Sequence, residues 1–354
     1  MQSHLNESVK GEAENYQIEA FVTNLEVPWD MVFTSEKRML ITERPGRVRV
    51  VENGILKAEP LLKLSNVYTE YEDGLMSIEL DPNYEENKWV YLSWTPQIGK
   101  GVGLKIARFT DTGDQLTEEK VIFENLPAAI MHSGSRIRFG PDEKLYITLG
   151  DALKRKQAQN LEVFNGKILR INKDGSIPED NPFANSPIWS YGHRNPQGIA
   201  WNPETGELFE SERGPSVFDG PAGGDEINHI VKGGNYGWPL VSHDEKREGT
   251  IAPLIQFTPA QPPGSLLVYS GKLFPEFKNN LFFGSLAGEG LIRITLDEND
   301  PNKISTWEKM ENINLGRIRN VIEGPDGSIY FSTSNRDGRG NPTEKDDQIF
   351  RMKL

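Results

Sequence analysis

The chain has 354 residues, with 39 Lys plus Arg against 52 Asp plus Glu, a formal net charge of −13. That balance excludes a nucleic-acid surface, which needs clustered cations, and the lack of cysteine excludes disulfides, thiolate metal sites and a cysteine nucleophile. A 36% hydrophobic content with 34 Gly and 23 Pro favours one soluble unit of many short strands and tight turns.

Residues 1–16 read as a polar N-terminal tail or linker, without the apolar core of a signal peptide, and 17–354 as a single domain. No apolar run approaches the roughly 18 residues of a transmembrane helix. From there a strand, a turn rich in Pro, Asp and Gly, and a second strand recur six times. The pairs are 29–33 with 39–43, 75–80 with 89–94, 137–139 with 145–149, 198–201 with 208–212, 266–269 with 281–285, and 318–322 with 329–333. A further strand follows most copies, at 48–51, 104–108, 168–171, 291–294 and 349–351. Each unit is too small to cover its own apolar faces. The expected architecture is therefore an all-β, six-bladed β-propeller of four-stranded antiparallel blades, with a sandwich or barrel as the competing fold. In a propeller, loops at one mouth converge on the axis, and the repeated aromatics Trp94, Tyr146, Phe209, Phe283 and Phe331 belong between blades.

The third repeat carries polar groups at both ends. His132 precedes its first strand and Asp151 follows its second, so an antiparallel hairpin brings them together. A carboxylate on one ring nitrogen fixes the tautomer and leaves the other to take a proton, as in a general base. At the same place before the fourth repeat stands Gly192-His193-Arg194-Asn195-Pro196-Gln197-Gly198, whose Arg194 and Asn195 offer donors to a ligand. Next come Gly214-Pro215 and the carboxylates Asp225 and Glu226, which read either as hard-cation ligands or as a solvated acidic loop. Arg317 and Arg319, two apart on a strand, either converge on an anionic ligand or form an outward basic pair. Nucleophile-elbow, Walker, dinucleotide and zinc-protease motifs are missing.

Taken together, Val27-Pro28-Trp29-Asp30, Gly74-Leu75, the His132 to Asp151 hairpin, the Gly192 to Gly198 run, Asp225-Glu226-Ile227-Asn228, the 233–239 run Gly-Gly-Asn-Tyr-Gly-Trp-Pro and Arg317-Ile318-Arg319 resemble the soluble glucose/sorbosone dehydrogenase family. The match is nearest its aldose sugar dehydrogenase branch and runs from about Glu19 onward. The resemblance implies a quinoprotein that binds pyrroloquinoline quinone (PQQ) and Ca2+ and oxidises the C1 hydroxyl of aldoses to lactones, passing electrons to an unidentified acceptor. It also implies an extracytoplasmic location. It assigns His132 as base, Asp151 as its orienting partner, and Arg194 and Asn195 as cofactor contacts, with Gln197 beside them. Gly214 and Pro215 become carbonyl donors to the cofactor calcium, Glu226 and Tyr236 ligands of a second calcium, and Arg317 and Arg319 the holders of the PQQ carboxylates. The chain departs from the family at Glu70, where glutamine is frequent beside the quinone, and at Ala287, where the glucose dehydrogenase branch has lysine. Both exchanges remove favourable electrostatics toward an anionic quinone. A calcium-dependent lactonase and a PQQ-free sugar- or protein-binding propeller are the alternatives, and a monomer or homodimer is expected.

Overall fold

Each repeat folds into a small antiparallel sheet, and six such sheets stand around one axis in the computed structural model, which describes residues 16–99, 101–300, 303–311 and 313–354. The expected tail over 1–16, apart from Tyr16, lies outside the described residues. The inner strands, one per blade in chain order, are Pro28–Ser35, Leu75–Leu80, Ile137–Phe139, Pro196–Trp201, Leu267–Val268 and Ile318–Glu323. Each touches the inner strand of the next blade, and the first touches the last, which closes the ring. The architecture is the expected six-bladed β-propeller, with almost no helix: the α-helix Tyr84–Asn87 has four residues. Among the described residues no helix is long and apolar enough to cross a membrane.

Ring closure uses both ends of the described chain. The sixth blade takes three strands from the C-terminal end, and its outer strand is Gln17–Val22, paired with Ile349–Lys353 from Gln17↔Lys353 to Ala20↔Phe350. Two refinements of the repeat pattern follow. The first blade has five strands, because both Ile55–Leu56 and Leu62–Lys63 pair with Arg47–Glu52. Asp225–Ile230, open to a loop reading in the sequence, is the third strand of the fourth blade.

Apolar side chains fill the wedges between blades. Trp94, Tyr146, Phe209, Phe283 and Phe331 are all buried there, as period-two alternation on sheets packed face to face requires. The axis is polar instead. Asp30 of the first blade forms ion pairs at 2.8 Å with Arg136 and Arg138 of the third, and accepts hydrogen bonds from Ser77 (2.6 Å) of the second and Asn320 (2.8 Å) of the sixth. Arg136 also donates to the carbonyls of Gln197 (2.9 Å) and Gly264 (2.8 Å) in the fourth blade and before the fifth. One buried ion pair thus touches all six blades. Burial opposes ionisation of Asp30, but the two guanidinium groups outweigh it and hold the carboxyl well below the usual range.

Candidate active site

Above this plug the loops leading into and out of the inner strands enclose a cavity of about 570 Å3, lined by residues of several blades. His132 and Asp151 meet on its wall, with Nδ1 2.9 Å from Oδ1. Asp151 is fully buried and its remaining capacity is taken by the backbone N–H of Leu153 (2.9 Å, Oδ1) and the indole N–H of Trp238 (2.9 Å, Oδ2). These two donors fix the carboxylate, which in turn holds the imidazole with Nδ1 engaged. Nε2 of His132 has no hydrogen-bond partner among the described residues, and the side chain borders the cavity. The backbone of His132 is left-handed, φ 63°, a conformation that costs a non-glycine residue about 1–3 kcal/mol. Its carbonyl lies so near Gly150 that a Cβ there would stand 2.0 Å from it, so the hairpin end closes only around glycine.

The other expected residues divide into those at the cavity and those behind it. Arg194, Asn195, Gly214, Pro215 and Arg317 line it together with His132 and Asp151. Arg194 is clamped by both oxygens of Asp219 (2.8 and 3.2 Å), and Arg317 by Asp337 (2.8 Å) and the carbonyl of Leu286 (2.7 Å). The amide oxygen of Asn195 accepts from Gln197 (3.0 Å), while its amide nitrogen is buried without a partner among the described residues. Gln197 sits behind the cavity, supporting Asn195 with its side chain and Arg136 with its carbonyl. Arg319 likewise lies behind Arg317, 3.7 Å from Asp337 and stacked near Trp29. Burial and the neighbouring Arg213 and Arg317 pull its guanidinium down to about 9. Glu226 and Tyr236 are brought together on a different cavity of about 380 Å3. Glu70 is exposed and outside the lining.

Among the lining residues not singled out from sequence are Glu72, Arg213 and Arg339. They arrive from the second, fourth and sixth blades and meet at one carboxylate oxygen, Glu72 Oε1, which is 2.9 Å from Arg213 and 3.0 Å from Arg339. Oε2 accepts weakly from the backbone N–H of His132 (3.4 Å). Burial pushes the Glu72 carboxyl up, but the two arginines win and bring it down to about 2. The acidic residue of this loop that faces the site is therefore Glu72, two positions beyond Glu70, and it pairs with Arg213 and Arg339. Ala287 does line the cavity, yet Arg213 and Arg339 supply positive charge to the same space. Nothing local marks them, since Arg213 and Glu72 are 141 residues apart.

Arg155, Arg194, Arg213, Arg317 and Arg339 line the cavity with the His132–Asp151 pair, and Glu72 and Asp219 are among the acidic lining residues. A propeller whose axial mouth holds an imidazole–carboxylate pair within a rim of guanidinium groups has the means to take up a proton beside an anionic group. The chain belongs to the glucose/sorbosone dehydrogenase family, whose model matches residues 25–342. It is 31% identical to the aldose sugar dehydrogenase YliI of Escherichia coli, over 91% of each chain. Among solved structures it resembles a glucose dehydrogenase-type oxidoreductase of Thermus thermophilus (39% identity, 96% of this chain and 100% of that one, TM-score 0.88). It also resembles the PQQ-bound aldose sugar dehydrogenase of Streptomyces coelicolor (28% identity, 96% and 98%, TM-score 0.84).

Proposed function

We propose that the protein is a quinoprotein that oxidises the C1 hydroxyl of aldose sugars to lactones, using PQQ and calcium, outside the cytoplasm; the location rests on the family alone. The carrying observation is the His132–Asp151 pair, its second imidazole nitrogen unengaged among the described residues, on a cavity lined by five arginines. A planar tricarboxylate quinone fits that wall. Arg213, Arg317 and Arg339 would hold its carboxylates, Arg194 its quinone oxygens, and the partnerless amide N–H of Asn195 would gain an acceptor. The carbonyls of Gly214 and Pro215 would take the cofactor calcium, and those of Glu226 and Tyr236, as side-chain carboxylate and backbone carbonyl respectively, a second one. Gly214 admits no other residue, because a Cβ would stand 2.2 Å from the carbonyl oxygen of Gly224.

When bound, PQQ supplies the two-electron acceptor that takes the C1 hydrogen as hydride. The protein's own work is on the proton. His132 Nε2 accepts it from the C1 hydroxyl, Asp151 stabilises the charged imidazole, and Arg194 offsets negative charge that develops opposite. A lactonase would need carboxylates converging on an axial metal. The axial carboxylate, Asp30, is instead committed to Arg136 and Arg138.

The test is reconstitution of the purified protein with PQQ and calcium, followed by cofactor absorbance and dye reduction across an aldose panel. A bound-cofactor spectrum with aldose-dependent reduction is expected. No spectrum and no reduction would sink the proposal and leave a PQQ-free binding propeller.

A further inference from the structure

Behind the loop that carries Arg194, the fourth blade turns an unusual set of side chains toward the third. Glu210 and Glu212 lie two apart on Leu208–Glu212 and so share one face, opposite Asn228 and Glu226 on the next strand. His193 covers them from the preceding loop, fully buried and stacked on Tyr236. Ligand atoms of His193, Glu210 and Glu212 all lie within 4.8 Å of one another. Among the described residues no lysine or arginine forms an ion pair with Glu210, Glu212 or Glu226. Two oxygens here are buried without any hydrogen-bond partner among the described residues: Oε1 of Glu210 and Oδ1 of Asn228. A buried anion costs several kcal/mol unless a positive charge answers it, and among the described residues no lysine or arginine reaches ion-pair distance of these carboxylates, Arg194 acting on Glu212 through its backbone N–H and from longer range.

We propose that His193, Glu210 and Glu212 bind a divalent transition-metal ion of the Zn2+ or Co2+ kind, a structural clamp between the third and fourth blades. The imidazole selects against calcium, which prefers oxygen ligands alone. His193 Nδ1 is 3.0 Å from Glu212 Oε2, about the separation of two adjacent ligands around a metal at roughly 2.1 Å. On the far side of the ring, Nε2 meets Ser190 Oγ at 2.8 Å, the outer partner that orients a ligating histidine. The 380 Å3 cavity bordered by Glu226 offers a way in from solvent. The clamp would serve the site in front of it, because the other oxygen of Glu212 accepts from the backbone N–H of Arg194 (2.8 Å).

The full-length, untagged protein is stripped with chelator and titrated with Co2+ in excess calcium, which fills the all-oxygen sites. The expected result is one equivalent of Co2+ with visible d–d absorption, displaced by Zn2+, and a rise in melting temperature. The absorption should persist in His132→Gln and vanish in Glu210→Gln and His193→Gln, each checked for folding by circular dichroism. Absence of the absorption from the folded wild-type protein overturns the proposal. So does undiminished absorption in the folded Glu210→Gln variant.

Discussion

Replacing Asp151 with asparagine changes one atom of the base pair and leaves its volume alone. Three donors point at this carboxylate: His132 Nδ1 and the Leu153 N–H at Oδ1, and the Trp238 indole at Oδ2. A carboxamide has a single acceptor oxygen and must turn its NH2 toward one side. With the NH2 toward Trp238, the indole N–H is left buried and unpaired, and the charge that stabilises the protonated imidazole is gone. With the NH2 toward His132, the Leu153 N–H is unpaired and Nδ1 must accept, which puts the proton on Nε2 and removes the base. The first arrangement strands a buried donor, the indole N–H, at about 1–3 kcal/mol of stability. Either arrangement forfeits much of a general base's contribution, about two to four decades in rate. The assay is stopped-flow reduction of bound PQQ at saturating aldose, with PQQ affinity measured separately by fluorescence titration. Cofactor reduction within threefold of wild type, at unchanged affinity, would refute the role given to the pair.

Arg213→Gln should weaken PQQ binding about tenfold to a hundredfold, the loss of one charged hydrogen bond worth about 1.5–3 kcal/mol; an unchanged Kd in fluorescence titration would remove Arg213 from the cofactor wall. Gly150→Ala should lower both melting temperature and turnover, because its Cβ would lie 2.0 Å from the His132 carbonyl oxygen; a variant with normal turnover would show that His132 needs no such backbone. Asp73, buried and hydrogen-bonded by Ser133, is pushed up by burial, from 3.8 to about 7. The folded state keeps that proton where the unfolded chain releases it, so stability from this group is full below about pH 4 and is lost as pH rises through 7, an upper bound of about 4 kcal/mol. Melts of the apo protein should then show Asp73→Asn gaining on wild type between pH 4 and 7, and a pH-independent difference would contradict the assignment.

The six hairpins were legible because their signals are local. Alternating apolar residues and the turns at Gly140-Pro141-Asp142 and Gly324-Pro325-Asp326 specify each unit without reference to the others. His132 and Asp151 were legible for the same reason, since one short hairpin joins them. The Gln17–Val22 strand was not read as part of the sixth blade, because its partner is at the other end of the chain. Glu70 and Glu72 could not be told apart, since both stand in one irregular loop, and only the packed loop exposes the first and sets the second, half-buried, against Arg213.

The repeat and the hairpin ends were thus determined by the sequence alone: strand periodicity and turn chemistry act over a few residues, and the His132–Asp151 pair lies inside one such unit. The cation wall was decided by tertiary structure, which brings Arg213 and Arg339 of two blades onto the Glu72 of a third. Ring closure converts positions far apart in sequence into neighbours at one mouth. Charge compensation at that mouth is a property of the closed ring, and for that reason the loss at Ala287 could be read along the chain while the arginines that answer it could not.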